Sequence, residues 1–307
     1  MGFQFLVKLT YVEEIIDNAQ NASSGDNAKN ASSGDNAQNA SSGDYAKNAS
    51  SGNYAQNASS GDYAQNASSG NYAKNASSGY NAKNTITGKN SVCVDCGYKG
   101  HVKGVNGTWF ALTDYELDTE DRYIPCLIIS AQIGNVDYKD YKGKVLQEKY
   151  WYTAINKQLY PTLEIDNSWM VILSQKKHGN YIIYKTQYEN DVRDNAETKK
   201  TYYVTEKDGF YAHGETIEKA IKDVDFKILY AQGLEENVKR IKSQGYMTAQ
   251  DYRLLTGSCE QGTQRWLDEN GYTWEDKKTI DEVLELTKNA YAHDNLVRAL
   301  KEKQYGN

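Results

Sequence analysis

The stretch that decides the fold reads Asn18-Ala-Gln-Asn-Ala-Ser-Ser-Gly-Asp26, then Asn27-Ala-Lys-Asn-Ala-Ser-Ser-Gly-Asp35, then Asn36-Ala-Gln-Asn-Ala-Ser-Ser-Gly-Asp44. The glycine of this nine-residue unit returns at Gly25, Gly34, Gly43, Gly52, Gly61, Gly70, Gly79, Gly88 and Gly97. A fixed period over so many copies means one structural unit stacked on itself. Flexible linkers share the composition but do not keep the phase. Within the unit Ala19, Asn21 and Ser23 have one parity, and Ala22 and Ser24 the other. Such alternation suits a strand, whose side chains point to opposite faces in turn. Ser-Ser-Gly-Asp then supplies turn chemistry, with the glycine expected to carry positive φ.

One nonapeptide spans only about 30 Å of contour, too little to close a coil. Two per coil fits better, and Gln20, Lys29, Gln38, Lys47 and Gln56 alternate at one site accordingly. On that arrangement Tyr45 lies over Tyr63 and Tyr54 over Tyr72. These four form an aromatic stripe, either a sheet surface of good β-propensity or a contact surface. With alanine and serine inside, stability is expected from backbone ladders and stacked asparagines. Thr85, Ile86, Val92 and Val94 make the last copies more apolar, as where a stack meets a globular part.

The expected fold is mainly β with α. A cap strand occupies 1–17, with Phe3 to Ile16 as its candidate residues, and a nonapeptide-repeat β-solenoid occupies 18–104. An antiparallel β-rich module with a short helix over Thr216 to Lys227 fills 105–232, and a helical module fills 233–307. Runs such as Thr108 to Leu112, Cys126 to Ile133 and Trp169 to Leu173 carry the branched and aromatic residues of strands. Thr248 with Asp251, and Thr279 with Glu282, have capping-box spacing before apolar helical runs.

Composition narrows the function. A net charge of −6 does not point to nucleic acid or acidic lipid. Four cysteines, Cys93, Cys96, Cys126 and Cys259, make no disulfide framework in 307 residues. Lys8, Glu13 and Glu14 interrupt any signal peptide, and no apolar run reaches membrane-spanning length. The expected setting is a bacterial cytoplasm, with no membrane contact. The seven Asn-Ala-Ser sequons from Asn21 to Asn75 therefore belong to the repeat and not to glycosylation.

Candidate sites are few. Asp26, Asp35, Asp44 and Asp62 sit where calcium-binding β-rolls place ligands, but Asn53, Asn71 and Tyr80 break the pattern. Cys93 and Cys96 form a C-x-x-C with no second pair, and Cys96 holds the serine site before Gly97, as a small buried substitute. His101, His178, His213 and His293 form no catalytic spacing with a nucleophile or carboxylate pair. Met247 to Leu267 has the outline of a helix-turn-helix with Arg253 and Arg265 as its bases. Asp251, Glu260, Asp268, Glu269 and Glu275 surround them and repel phosphate. No cofactor and no metal are expected.

The repeats, the exit Asn90-Ser-Val-Cys-Val-Asp-Cys-Gly-Tyr-Lys99 and the following Gly104-Val-Asn-Gly-Thr-Trp109 resemble proteins of phages and gut bacteria, themselves uncharacterised in function. Those proteins carry a repeat stack followed by a β module. Tyr211 to Ala220 and Tyr252 to Cys259 are similar to phage-associated sequences too. Gly2-Phe-Gln-Phe5 looks like a remnant of the strand opening their N-terminal domain, which implies that most of that domain lies outside this chain. More loosely, the repeats are similar to adhesin head repeats, which are trimeric and surface-exposed; the missing signal peptide argues against that role. The resemblance implies a mobile-element origin and no activity. The expected function is that of an interaction protein, not an enzyme, binding or blocking a host protein partner through Tyr45, Tyr54, Tyr63 and Tyr72. Two rivals stay open: a DNA-binding regulator through Arg253 and Arg265, and an enzyme with a site in the β module. Homo-oligomerisation is also left open.

Overall fold

The computed structural model describes residues 17–194, 200–258, 260–290 and 292–301. The cap strand expected from Phe3 to Ile16 lies outside the described residues. Ten short strands build the stack: β1 (Gln20–Ser23), β2 (Lys29–Ser32), β3 (Gln38–Ser41), β4 (Lys47–Ser50), β5 (Gln56–Ser59), β6 (Gln65–Ser68), β7 (Lys74–Ser77), β8 (Lys83–Ile86), β9 (Val92–Asp95) and β10 (His101–Lys103). Gln20 pairs with Gln38 and Lys29 with Lys47, in parallel, so each coil holds two repeats. Odd strands form one sheet and even strands the other. The fold is the expected β-solenoid, followed by antiparallel strands and helices.

Inward parity falls on Ala37, Asn39 and Ser41, and on their equivalents in later coils. The inward asparagines tie neighbouring strands together, as Asn39 shows. The Asn39 Nδ2 group donates to Asn57 Oδ1 at 2.9 Å along the stack, and to Ser32 Oγ at 3.0 Å and the Ala49 carbonyl at 2.9 Å on the opposite sheet. A buried polar side chain fully engaged in this way stabilises, where an unpaired one would destabilise. The turn acids form a second ladder: Asp44 N–H donates to Asp26 Oδ1 at 3.0 Å, and Asn71 N–H to Asn53 Oδ1 at 3.0 Å. Only an acceptor oxygen is needed there, so Asp and Asn interchange along the repeat.

Two local expectations are corrected. The positive φ falls not on the repeat glycine but on the first residue of each unit, for example Asn27 at 58° and Tyr54 at 57°. The glycine is required for another reason: a Cβ on Gly61 would lie 2.1 Å from the Gly43 carbonyl oxygen of the preceding coil. Cys96 is exposed, because the serine before each glycine points outward. The buried thiol is Cys93, which takes the asparagine site opposite Asn75. Burial pushes that thiol's pKa up. With Ile86 and Val102 it ends the polar ladder in apolar contact, each at most 1% exposed.

The stack continues directly into further strands of the same unit. β11 (Trp109–Leu117) pairs parallel with β9, and β12 (Tyr123–Gln132) pairs antiparallel with β11. β13 (Trp151–Ile155) pairs with β10, and β14 (Gln158–Ile165) with β13. Phe110, Leu112, Tyr152, Ile155 and Met170 are buried in this part. The chain divides into two compact units, Met1–Ile172 with Gln187–Lys199, and Leu173–Thr186 with Lys200–Asn307. It leaves the first within β15 (Ser168–His178) and returns within β16 (Tyr181–Tyr188), to make the short helix α1 (Glu189–Arg193).

In the second unit, β17 (Tyr202–Lys207) pairs antiparallel with Ile182–Thr186 and with β18 (Phe210–Gly214). Helix α2 (Ile217–Ala231) is N-capped by Thr216, whose side chain accepts from Lys219 N–H. Then follow α3 (Leu234–Gln244), α4 (Ala249–Thr256), α5 (Glu260–Asn270), α6 (Ile280–Leu286) and α7 (His293–Lys301). Both expected capping boxes form, at Thr248/Asp251 and Thr279/Glu282. Val238, Ile241, Met247, Leu255 and Leu296 form the helical core. Among the described residues no helix is long and apolar enough to cross a membrane.

Candidate functional site

The two-repeat coil brings every second tyrosine into register. Tyr45 and Tyr63 stack with ring centroids 4.9 Å apart and planes 4° apart; Tyr54 and Tyr72 stack at 5.0 Å and 7°. The rings thus form two short columns, on opposite turns of the coil. Tyr45, Tyr54 and Tyr72 are about half exposed, and Tyr63 is partly covered.

All four stand on left-handed backbone, with φ between 56° and 58°. Asn18, Asn27, Asn36, Asn81 and Asn90 hold the same conformation at the equivalent sites. Asparagine tolerates it through local hydrogen bonding, whereas a bulky residue there is strained by about 1–2 kcal/mol. Stacking of two rings returns about 0.5–1.5 kcal/mol per pair. Stability therefore gives little reason to prefer tyrosine at these turns.

The first column is longer than the repeat phase alone places it. Tyr63 meets Tyr80 edge-on at 5.3 Å, Tyr80 meets Tyr98 at 5.9 Å, and Tyr98 stacks on Tyr123 at 4.1 Å and meets Tyr115 at 5.5 Å. Tyr80 and Tyr98 follow Gly79 and Gly97, at the turn-acid site of their repeats. That shared phase was the sequence signal for them; Tyr115 and Tyr123 come from a hairpin and had none. Lys99 Nζ lies 5.5 Å from the Tyr80 ring and 5.2 Å from Tyr98, and the Arg193 guanidinium 5.4 Å from Tyr98. Cations thus gather at the Tyr80–Tyr98 end of the column, whereas Tyr45 and Tyr63 each follow a turn acid, Asp44 and Asp62.

Arg193 also belongs to a buried cluster. His101 Nε2 is 2.8 Å from Glu189 Oε2; Arg193 reaches Glu189 Oε1 at 2.7 Å and donates to Thr153 Oγ1 at 2.9 Å; Asp114 Oδ1 lies 3.9 Å away. Trp169 stacks on the imidazole at 3.6 Å. Burial alone would raise the Glu189 carboxyl, but the bonds from His101 and Arg193 outweigh it and hold the pKa at about 2. Burial drives the His101 imidazole below its usual range against the pull of Glu189, so the ring is neutral at pH 7. These side chains are at most 7% exposed and packed on one another, which leaves a substrate no approach. The arrangement fastens the last coil to α1.

The two arginines of the helical part are placed differently. Arg253 lies over the Phe226 ring at 4.4 Å and faces Trp274 at 5.7 Å. Arg265 borders a cavity of about 530 Å³ lined by Tyr252, Trp266, Leu267, Tyr272 and Leu286. Among the described residues no three His, Cys, Asp or Glu side chains are grouped as a metal site. Comparison of the chain with protein-family models, curated proteins and solved structures returns no match.

Proposed function

We propose that this chain is a non-enzymatic interaction protein whose repeat stack presents Tyr45, Tyr54, Tyr63 and Tyr72 to a protein partner. The observation that carries the reading is the conformation of these residues: tyrosine occupies left-handed turns where asparagine serves the fold at lower cost. Backbone strain retained at an exposed aromatic surface is characteristic of recognition. The stack is rigid, because each coil is bonded to its neighbours through backbone and asparagine ladders, and little ordering entropy is lost on binding. The resemblance of the repeats to phage-associated proteins supports a bacterial host protein as the partner, bound or blocked on the tyrosine surface.

The test is capture from bacterial lysate with the full chain and with the double variant Tyr54→Asn/Tyr63→Asn. A protein retained by the first and lost by the second supports the reading. Retention of nucleic acid alone would sink it, and would move attention to Arg253 and Arg265.

A further inference from the structure

Strand β12 reads Tyr123-Ile-Pro-Cys-Leu-Ile-Ile-Ser-Ala-Gln132, ten residues without a charge. It is the last strand of its sheet, and no described strand pairs with its outer edge. Edge strands of soluble proteins are normally short, charged or covered. This one has the composition of a strand buried on both faces.

Its faces are open as well. Leu127, Ile129 and Ala131 share a face with the buried Phe110 and Leu112, and Ile128 and Ser130 lie on the other face. Yet Leu127 is 41% exposed, Ile128 65%, Ile124 40% and Tyr123 47%. The strand therefore overhangs its own core. The direction of its free backbone groups follows from the ladder. Ile133 N–H donates to the Thr108 carbonyl at 3.0 Å, and antiparallel pairs alternate between bonded and unbonded. Ala131 and Ile129 thus bond towards β11, and Ile128 and Ser130 direct N–H and C=O away from it; the Gln132 carbonyl accepts from Asn135 N–H at 3.4 Å. Pro125, which has no N–H to leave unpaired, stands opposite Tyr115 just past a register shift, at an outward position. What completes this edge must be an extended strand.

We infer that the occupant is a second copy of the chain, paired antiparallel along β12 about a two-fold axis at Ile129. Ile128 of one copy then faces Ser130 of the other, and both such pairs exchange two backbone bonds. Charge selects this arrangement. Asp118, Glu120, Asp121 and Arg122 all lie at one end of the strand, in the turn from β11. Antiparallel pairing sends the two charged turns to opposite ends and brings uncharged strand against uncharged strand. The axis also keeps the two overhanging faces on one side, so that the two Ile129 side chains meet and Leu127 of each copy covers Ala131 of the other. Such a contact is isologous and closes on itself. It concerns a surface separate from the tyrosine columns, apart from Tyr123 at the strand's start.

The experiment is sedimentation of the full chain over a range of concentrations, alone and as Ser130→Lys and Ile128→Lys. Both substitutions are at exposed positions, and unchanged melting and circular dichroism confirm folding. A reversible, concentration-dependent monomer–dimer equilibrium is expected. Each lysine should weaken it at least about tenfold by desolvating a charge against the apolar strand. A chain that stays monomeric throughout overturns the inference and leaves the edge to a segment of another protein. A dimer indifferent to both lysines overturns it as well.

Discussion

Tyr54 and Tyr63 occupy a backbone that an asparagine would hold with less strain, and this separates stability from recognition at the level of single residues. Tyr54→Asn/Tyr63→Asn should leave the melting temperature unchanged or slightly higher, since the relieved strain and the lost stacking nearly cancel. The same change should weaken binding of the captured partner by about 1–4 kcal/mol, the range of aromatic hot spots; unchanged affinity would make the columns structural. The repeat glycines obey a different constraint. In Gly61→Ala the new methyl meets the Gly43 carbonyl, and the coils must shift at a cost of about 1–3 kcal/mol or more. Gly25→Ala meets nothing within 4 Å and should be nearly neutral. Urea midpoints of the two variants compare them directly. This contrast also shows what a local reading misses. Ser-Ser-Gly-Asp looks like a turn that needs glycine for its φ, but the need comes from a contact with the previous coil, 18 residues back in sequence.

At the scale of elements, the legible features were those that the period controls. Phase alone placed Gln20 opposite Gln38 and stacked Tyr45 on Tyr63, while the structure decided which parity, that of Ala37, Asn39 and Ser41, faces inward. Features set by long-range contact were not legible. Cys96 holds the serine site before Gly97, which suggested a small buried substitute, but the coil turns that site outward. His101 and Glu189 meet across 88 residues with no spacing to announce it. That pair joins β10 to α1, and its protonation has a definite sign. The Glu189 pKa is depressed to about 2 from an ordinary 4.5, so its contribution is complete above 4.5 and lost as pH falls towards 2. His101 is held neutral, so the unfolded chain takes up a proton below about 6.5 first, and this too destabilises the fold in acid. Asp95 acts in the opposite sense: burial pushes it up to about 7, so its contribution is greatest in acid and declines as pH rises to 7. Glu189→Gln leaves Arg193 underpaired and should cost about 3–5 kcal/mol at pH 7. The gap to the unaltered protein should narrow between pH 4.5 and 2, as urea midpoints across pH would measure. A constant gap would mean that the charge on Glu189 does not hold the joint.

At the scale of the molecule, the stack is a one-dimensional array with unlike ends. Its C-terminal end runs on into β11 and β13. At its N-terminal end β1 and β2 pair on one side only among the described residues, and their inward side chains are half-buried where those of β3 and β4 are buried. In such an array stability is a sum over neighbouring units, and opening starts where neighbours are fewest. Hydrogen exchange should therefore be faster at Gln20–Ser23 than at Gln56–Ser59, by about tenfold for each 1.4 kcal/mol of neighbour energy. A break in the middle sharpens the test. Asn57 Nδ2 donates to Ser50 Oγ, Ser68 Oγ and the Ala67 carbonyl, and Asn57 Oδ1 accepts from Asn39. Asn57→Ala removes these bonds inside a closed coil and should cost about 2–4 kcal/mol. Because among the described residues only the C-terminal side runs on into further strands, the loss should fall unevenly. Protection should drop from Gln20 to Ser50 and persist at Val92–Asp95. Equal losses on both sides would show that the N-terminal end is held as firmly as the other. No protection anywhere from residue 18 to residue 87 in the unaltered chain would contradict the stack itself.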